Sequence, residues 1–175
     1  PKRPELLWKF TVPKGAFEAT PAIVGGIVYL GDLDGKFYAL DLATGEQKWV
    51  QTFEGGFTAS PAVRDGLLYI GDYDGRFYCL RTQDGQLVWQ HEAEAEIDGS
   101  ANFFEDRVLF GSQDATLYCL QAKTGELVWK HAIEDQIRCS PTIVEGRCFV
   151  AGCDGQLHII NVRDGQPMAT VPIGS

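Results

Sequence analysis

"GDLDGKFYALDLATGEQKWV", residues 31–50, returns as "GDYDGRFYCLRTQDGQLVWQ" at 71–90, as "GSQDATLYCLQAKTGELVWK" at 111–130, and in worn form as "AGCDGQLHIINVRDGQPMAT" at 151–170. The phrase recurs every forty residues. Self-similarity at a fixed period of this size marks a chain of small stacked units, each too small to bury its apolar surface alone.

One repeat, residues 58–92, shows what the unit is. "TASPAV" and "LLYIGD" are short apolar runs separated by "RDG"; "RFYCL" follows "YDG", and "QLVWQHE" follows "RTQDG". Asp-Gly and Thr-Gly between runs rich in Val, Ile, Leu, Tyr and Phe signal hairpins, because glycine takes the positive φ of a tight turn without a steric penalty. Each repeat therefore reads as a four-stranded antiparallel meander, and every Asp-Gly or Thr-Gly is expected to close a hairpin. The middle strands are apolar at both alternating positions ("IVYL", "LLYI", "FYAL", "FYCL"), so both faces of each sheet are covered. No stretch carries apolar residues at helical spacing. Four-stranded sheets stacked radially are the blades of a β-propeller, so the fold class is all-β, with four blades at about 16–54, 55–94, 95–134 and 135–175 in a single domain, 1–175.

The pattern "SPAV..G.LYIGD.DG.FY.L...DG...W" resembles the repeat of the quinoprotein-like propellers, over nearly the whole chain. That family includes dehydrogenases that use pyrroloquinoline quinone (PQQ) and an outer-membrane assembly lipoprotein. The resemblance implies core positions for Trp8, Trp49, Trp89 and Trp129, each packed between neighbouring blades beneath a glycine turn, with Met168 at that place in the fourth repeat. Gly35, Gly75 and Gly155 are read as structural glycines of the Asp-Gly hairpin turns. A quinone enzyme of this family would carry an adjacent Cys-Cys pair and a calcium ligand set; the sequence has no Cys-Cys dipeptide, so neither PQQ nor calcium is expected. The family further implies a periplasmic or exported protein, whereas five cysteines, an odd number without any Cys-x-x-Cys, lean towards free thiols and a reducing compartment.

Bulk composition narrows the functional classes. Forty-five per cent hydrophobic and 22% charged residues suit a globular domain, and a net charge of -9 without a basic cluster argues against phosphate-driven nucleic-acid binding. No apolar run reaches the length of a membrane-spanning helix. The Asp-x-Asp-Gly turns at Asp32 and Asp72 open like a calcium loop but lack its later ligands and run straight into a strand, so they read as hairpins. His91, His131 and His158 are scattered, and no Gly-x-Ser-x-Gly elbow accompanies the recurring Ser60, Ser100 and Ser140.

Function is sought where a fixed repeat position changes chemistry. Two residues before the recurring Ser or Thr stand Glu18, Thr58, Asp98 and Arg138. The first strand of a propeller blade lines the central channel, so these side chains are expected to converge on one concave surface. The leading expectation is a non-catalytic scaffold or protein-recognition module. The alternatives are a small-ligand sensor using the channel and a fragment of a PQQ-dependent dehydrogenase. Four blades make half of an eight-bladed ring, completed by a second copy or by the rest of a longer propeller. Residues 5–12 supply an extra outer strand, expected to be given to another copy and to complete a fourth blade there in place of a displaced, proline-bearing tail.

Overall fold

In the computed structural model, residues 5–13 and 15–174 are described. The first blade is β1 (Ala22–Val24), β2 (Ile27–Gly31), β3 (Lys36–Asp41) and β4 (Gln47–Thr52), and the second β5 (Ala62–Arg64), β6 (Leu67–Gly71), β7 (Arg76–Arg81) and β8 (Leu87–Glu92). The third is β9 (Asn102–Phe104), β10 (Arg107–Gly111), β11 (Thr116–Gln121) and β12 (Leu127–Ala132), and the fourth β13 (Thr142–Val144), β14 (Arg147–Ala151), β15 (Gln156–Asn161) and β16 (Pro167–Pro172). Each blade is an antiparallel sheet in chain order, and no helix occurs among the described residues. The chain is an all-β stack of propeller blades.

Local chemistry sets each hairpin. The first turn of blade two needs two left-handed residues and uses Asp65 (φ 52°) and Gly66 (φ 77°). The last hairpin of every blade carries a one-residue slip, at Ala39/Leu40, Cys79/Leu80, Cys119/Leu120 and Ile159/Ile160, which strengthens the local twist. One Asp-Gly departs from expectation: Asp98-Gly99 lies in the connection between β8 and β9. Gly99 is needed there because any Cβ would meet the Cys139 backbone, not because a turn demands positive φ.

Three apolar layers hold adjacent blades together. Tyr29, Phe37 and Ala39 of blade one pack on Leu68, Ile70 and Leu80 of blade two. Phe77 and Phe110 stack at 3.9 Å between blades two and three. Leu109, Cys119 and Trp129 meet Cys148, Val150 and Ile160 between blades three and four. Each fully buried side chain of this size stabilises by about 1.5 to 3 kcal/mol, so the layers dominate the fold's stability. Among the described residues, no such layer joins blade four to blade one.

The indoles repeat one contact. Trp49, Trp89 and Trp129 donate to the carbonyls of Thr82, Ala122 and Val162 in the next blade, at 2.9, 3.0 and 3.1 Å, and lie against Gly85, Gly125 and Gly165. Trp8 does the same to Leu42 and Gly45 of blade one, at 2.8 Å to the carbonyl.

Two expectations are corrected here. The tail is not displaced: β16 pairs along β15 and holds the fourth blade's outer position, while residues 5–12 join no ladder among the described residues and Trp8, Phe10 and Val12 cover the first blade's outward face. The ladder also sets Ala169, not Met168, at the tryptophan place, because Ala169 lies opposite Ile159 as Trp49 lies opposite Ala39.

Candidate channel-face interaction site

The inner strands begin where blades converge: the Thr20 amide donates to Ser60 Oγ at 3.0 Å, and Ser100 to Ser140 Oγ at 2.9 Å, each across a full repeat. The four variable side chains sit two residues before these contacts. Thr58 Oγ1 donates to Asp98 Oδ1 at 3.3 Å. Arg138 does not reach Asp98 directly. Its Nη2 donates to Gln113 Oε1 at 3.1 Å, while Gln113 Nε2 donates to Asp98 Oδ2 at 2.7 Å and Glu96 Oε2 at 2.6 Å. The Gln113 amide is therefore the relay between two carboxylates and a guanidinium, and Gln136 steadies the guanidinium from the other side at 3.0 Å.

Glu18 makes no hydrogen bond in this network among the described residues, yet it belongs to the same field. The Tyr73 phenol is pushed above its ordinary value, first by desolvation and then by the negative charges of Glu18, Asp98 and Glu96. Tyr73 remains 37% exposed. Carboxylates, amides, a phenol and a guanidinium thus lie side by side on one accessible face contributed by all four blades.

Tyr73, Glu96, Gln113 and Gln136 escaped the sequence reading, although the same signal marks them. Leu33, Tyr73, Gln113 and Cys153 share one repeat position, and Gly56, Glu96 and Gln136 another, and both positions change chemistry from blade to blade.

The Asp-x-Asp-Gly turns have a different task. Asp32 accepts from the Asp34 and Lys36 amides at 3.0 and 2.8 Å and from the Tyr38 hydroxyl at 2.9 Å; Asp72 does the same with Asp74, Arg76 and Tyr78 at 2.9, 2.8 and 2.8 Å. Both carboxylates are buried and engaged within their own blade, so these turns do not fit a calcium site. In blade four, His158 replaces the tyrosine and its Nε2 lies 2.8 Å from Asp154 Oδ2.

A groove of about 640 Å³ opens elsewhere, on the rim between β4 and β8. Its Tyr78 hydroxyl serves Asp72 and its Arg76 pairs with Glu54 at 2.8 Å, so these two side chains are already engaged within the fold.

A family profile described as "Outer membrane protein assembly factor BamB" matches residues 2–102 and again 79–168. The chain belongs to this BamB-like propeller family. No curated protein matches it. BamB from Moraxella catarrhalis superposes with a TM-score of 0.83 at 21% identity, over 93% of this chain and 55% of that one. The computationally designed Ika4 protein superposes with a TM-score of 0.81 at 19% identity, over 91% and 99%. The quinohemoprotein alcohol dehydrogenase of Comamonas testosteroni gives 0.76 at 17% identity, over 89% and 35%. The chain thus spans about half the length of BamB. At these identities the superpositions show the shared fold, while the profile shows the family.

Proposed function

We propose that this BamB-like chain is a non-catalytic propeller scaffold that engages another protein through the face carrying Glu18, Thr58, Asp98 and Arg138. The observation that carries the proposal is the network from Thr58 through Asp98 and Gln113 to Arg138, which sets mixed polar chemistry on one surface drawn from separate blades. Such a surface offers donors, acceptors and both signs of charge, which suits a polypeptide better than a nucleic acid facing a chain of net charge -9. The family's description as an assembly factor supports the same role. The reading calls on neither PQQ nor calcium, and the Asp32 and Asp72 carboxylates of the turns already serve buried tyrosines. The protein works in the bacterial envelope, as the outer-membrane family description suggests; of its free cysteines Cys79, Cys119 and Cys148 are buried, which leaves Cys153 as the exposed thiol. The open arc of four blades is completed by four more, from a second copy or from a longer propeller.

A photo-crosslinking amino acid at position 138, introduced in cells, tests the scaffold role against the same group at exposed Leu127 on β12. A discrete protein adduct from position 138, lost on Asp98→Lys, is expected. Crosslinking from 127 alone, or a saturable absorbance change on adding PQQ with calcium, would overturn it.

A further inference from the structure

Every join between blades is built from the same four contacts. At the first join these are the Trp49 indole on Gly85, the Phe57 ring over Gly31, the Phe57 amide to the Asp32 carbonyl at 3.0 Å, and the Tyr73 amide to the Gly56 carbonyl at 3.0 Å. The second join uses Trp89, Ile97 over Gly71, Ile97 to Asp72 at 3.1 Å, and Gln113 to Glu96 at 2.9 Å. The third uses Trp129, Ile137 over Gly111, Ile137 to Ser112 at 3.1 Å, and Cys153 to Gln136 at 2.9 Å.

The chain also carries two unjoined halves of a fourth set. On blade one, Trp8 lies on Gly45 and the Leu33 amide donates to Ala16 at 3.0 Å, but the Phe17 amide has no acceptor among the described residues. On blade four, the Gly152 carbonyl receives only the Gly155 amide among the described residues, Ala151 stands where Gly31, Gly71 and Gly111 receive an apolar side chain, and Ala169 has no indole at the tryptophan place. The face behind them is unfinished. Leu157 and Ile159 are half-exposed, whereas Phe37, Ala39, Phe77 and Cys79 at the same positions are 0% exposed, and Val171 beside them is 44% exposed.

We infer that the open face of blade four docks on blade one of a second copy, with the copy's Phe17 set over Ala151 and its Trp8 filling the place left by Ala169. The occupant is a second copy because this one chain presents both complementary halves, and the join continues an interface already made three times within it. The docking surfaces lie at opposite ends of the arc, so the contact is head-to-tail. Two copies, each supplying half the ring, close it with two equal joins and leave no apolar face in water. The inference rests on the propeller reading for its ring, while the partner protein of the channel face is independent of it.

Sedimentation velocity with light scattering on the 175-residue chain tests the docking directly. A particle of twice the chain's 19.3 kDa is expected. A species that stays monomeric at tens of micromolar, as when the remaining blades belong to one longer polypeptide, overturns the inference; so does an open-ended polymer. Trp8→Ala should raise the dimer dissociation constant at least about tenfold, the usual effect of removing a central aromatic anchor. Adding Ala169→Trp to that variant should restore association, since the indole then comes from blade four as it does at the other joins. Failure of the double variant to regain the dimer, with circular dichroism showing it folded, counts against the proposed packing. Ile159→Glu should give a folded monomer that still crosslinks from position 138, which separates this inference from the scaffold role.

Discussion

The Tyr118 hydroxyl donates to Asp114 at 2.7 Å, two residues further along the turn than the carboxylates that receive Tyr38 and Tyr78. Blade three has Ser112 where the earlier blades have Asp32 and Asp72, and Ser112 turns its own hydroxyl to the Ala95 carbonyl at 2.9 Å. The tyrosine is satisfied in every case, by whichever aspartate of the turn the blade provides. Equivalent sequence positions therefore carry unequal loads. Asp72→Ala should cost about 2 to 4 kcal/mol by orphaning a buried phenol and two amides, and Asp114→Ala a comparable amount, while exposed Asp74→Asn should stay within about 0.5 kcal/mol. Urea denaturation of the three variants checks the order.

Asp154 extends the same device to a titratable pair. Burial works to raise its carboxyl, but the His158 hydrogen bond and the Gln156 amide outweigh burial and hold it below the usual carboxylate range. A carboxyl lowered on folding stabilises above its unfolded value near 4, and that contribution is lost as pH falls through the folded value. The stability difference between wild type and Asp154→Asn should therefore shrink between about pH 6 and about pH 3. Equal differences at both pH values would show that the pair does not act in this way.

Ala115 occupies the place of Gly35, Gly75 and Gly155 but sits at φ 66°. Its carbonyl accepts the same bond as the others, from the Ile133 amide at 2.9 Å, so the strain brings no gain in hydrogen bonding. Ala115→Gly should stabilise by about 0.5 to 1 kcal/mol, the left-handed penalty less glycine's extra chain entropy. Gly75→Val should cost about 1 to 3 kcal/mol or more, because a Cβ there would also meet the Ala95 and Ala93 carbonyls at 2.7 and 2.8 Å. Thermal melts of the two variants should move in opposite directions.

The cysteines should fall into kinetic classes. Burial pushes the thiols of Cys79, Cys119 and Cys148 up to about 12, so thiolate is scarce and solvent is absent at all three. Cys153 is exposed. Maleimide labelling read by mass spectrometry should modify Cys153 first and the buried three only on unfolding.

On the channel face, Glu18→Ala, Asp98→Ala and Arg138→Ala should each leave stability within about 0.5 kcal/mol, since the groups are partly solvated. Partner crosslinking from a nearby probe should weaken most with Asp98→Ala, which removes the acceptor shared by Thr58 and Gln113. A large stability loss without loss of crosslinking would assign these residues to the fold.

The forty-residue period, the turn dipeptides and the two-sided apolar strands determined the blade by themselves, because hairpins and their buried faces depend on neighbours close in sequence. Tertiary structure alone decided the relations between repeats. That Gln113 links Asp98 to Arg138 depends on side chains brought together from separate blades, and no local preference encodes that meeting. The fate of Asp98-Gly99 was likewise out of reach: the dipeptide matches a hairpin signal, but the close Cys139 backbone gives its glycine another purpose. Trp8 shows the limit most clearly. Its aromatic signal was legible, yet that it packs on the first blade's Val28, Tyr38 and Leu40 is a contact between segments far apart in sequence, which no local preference encodes.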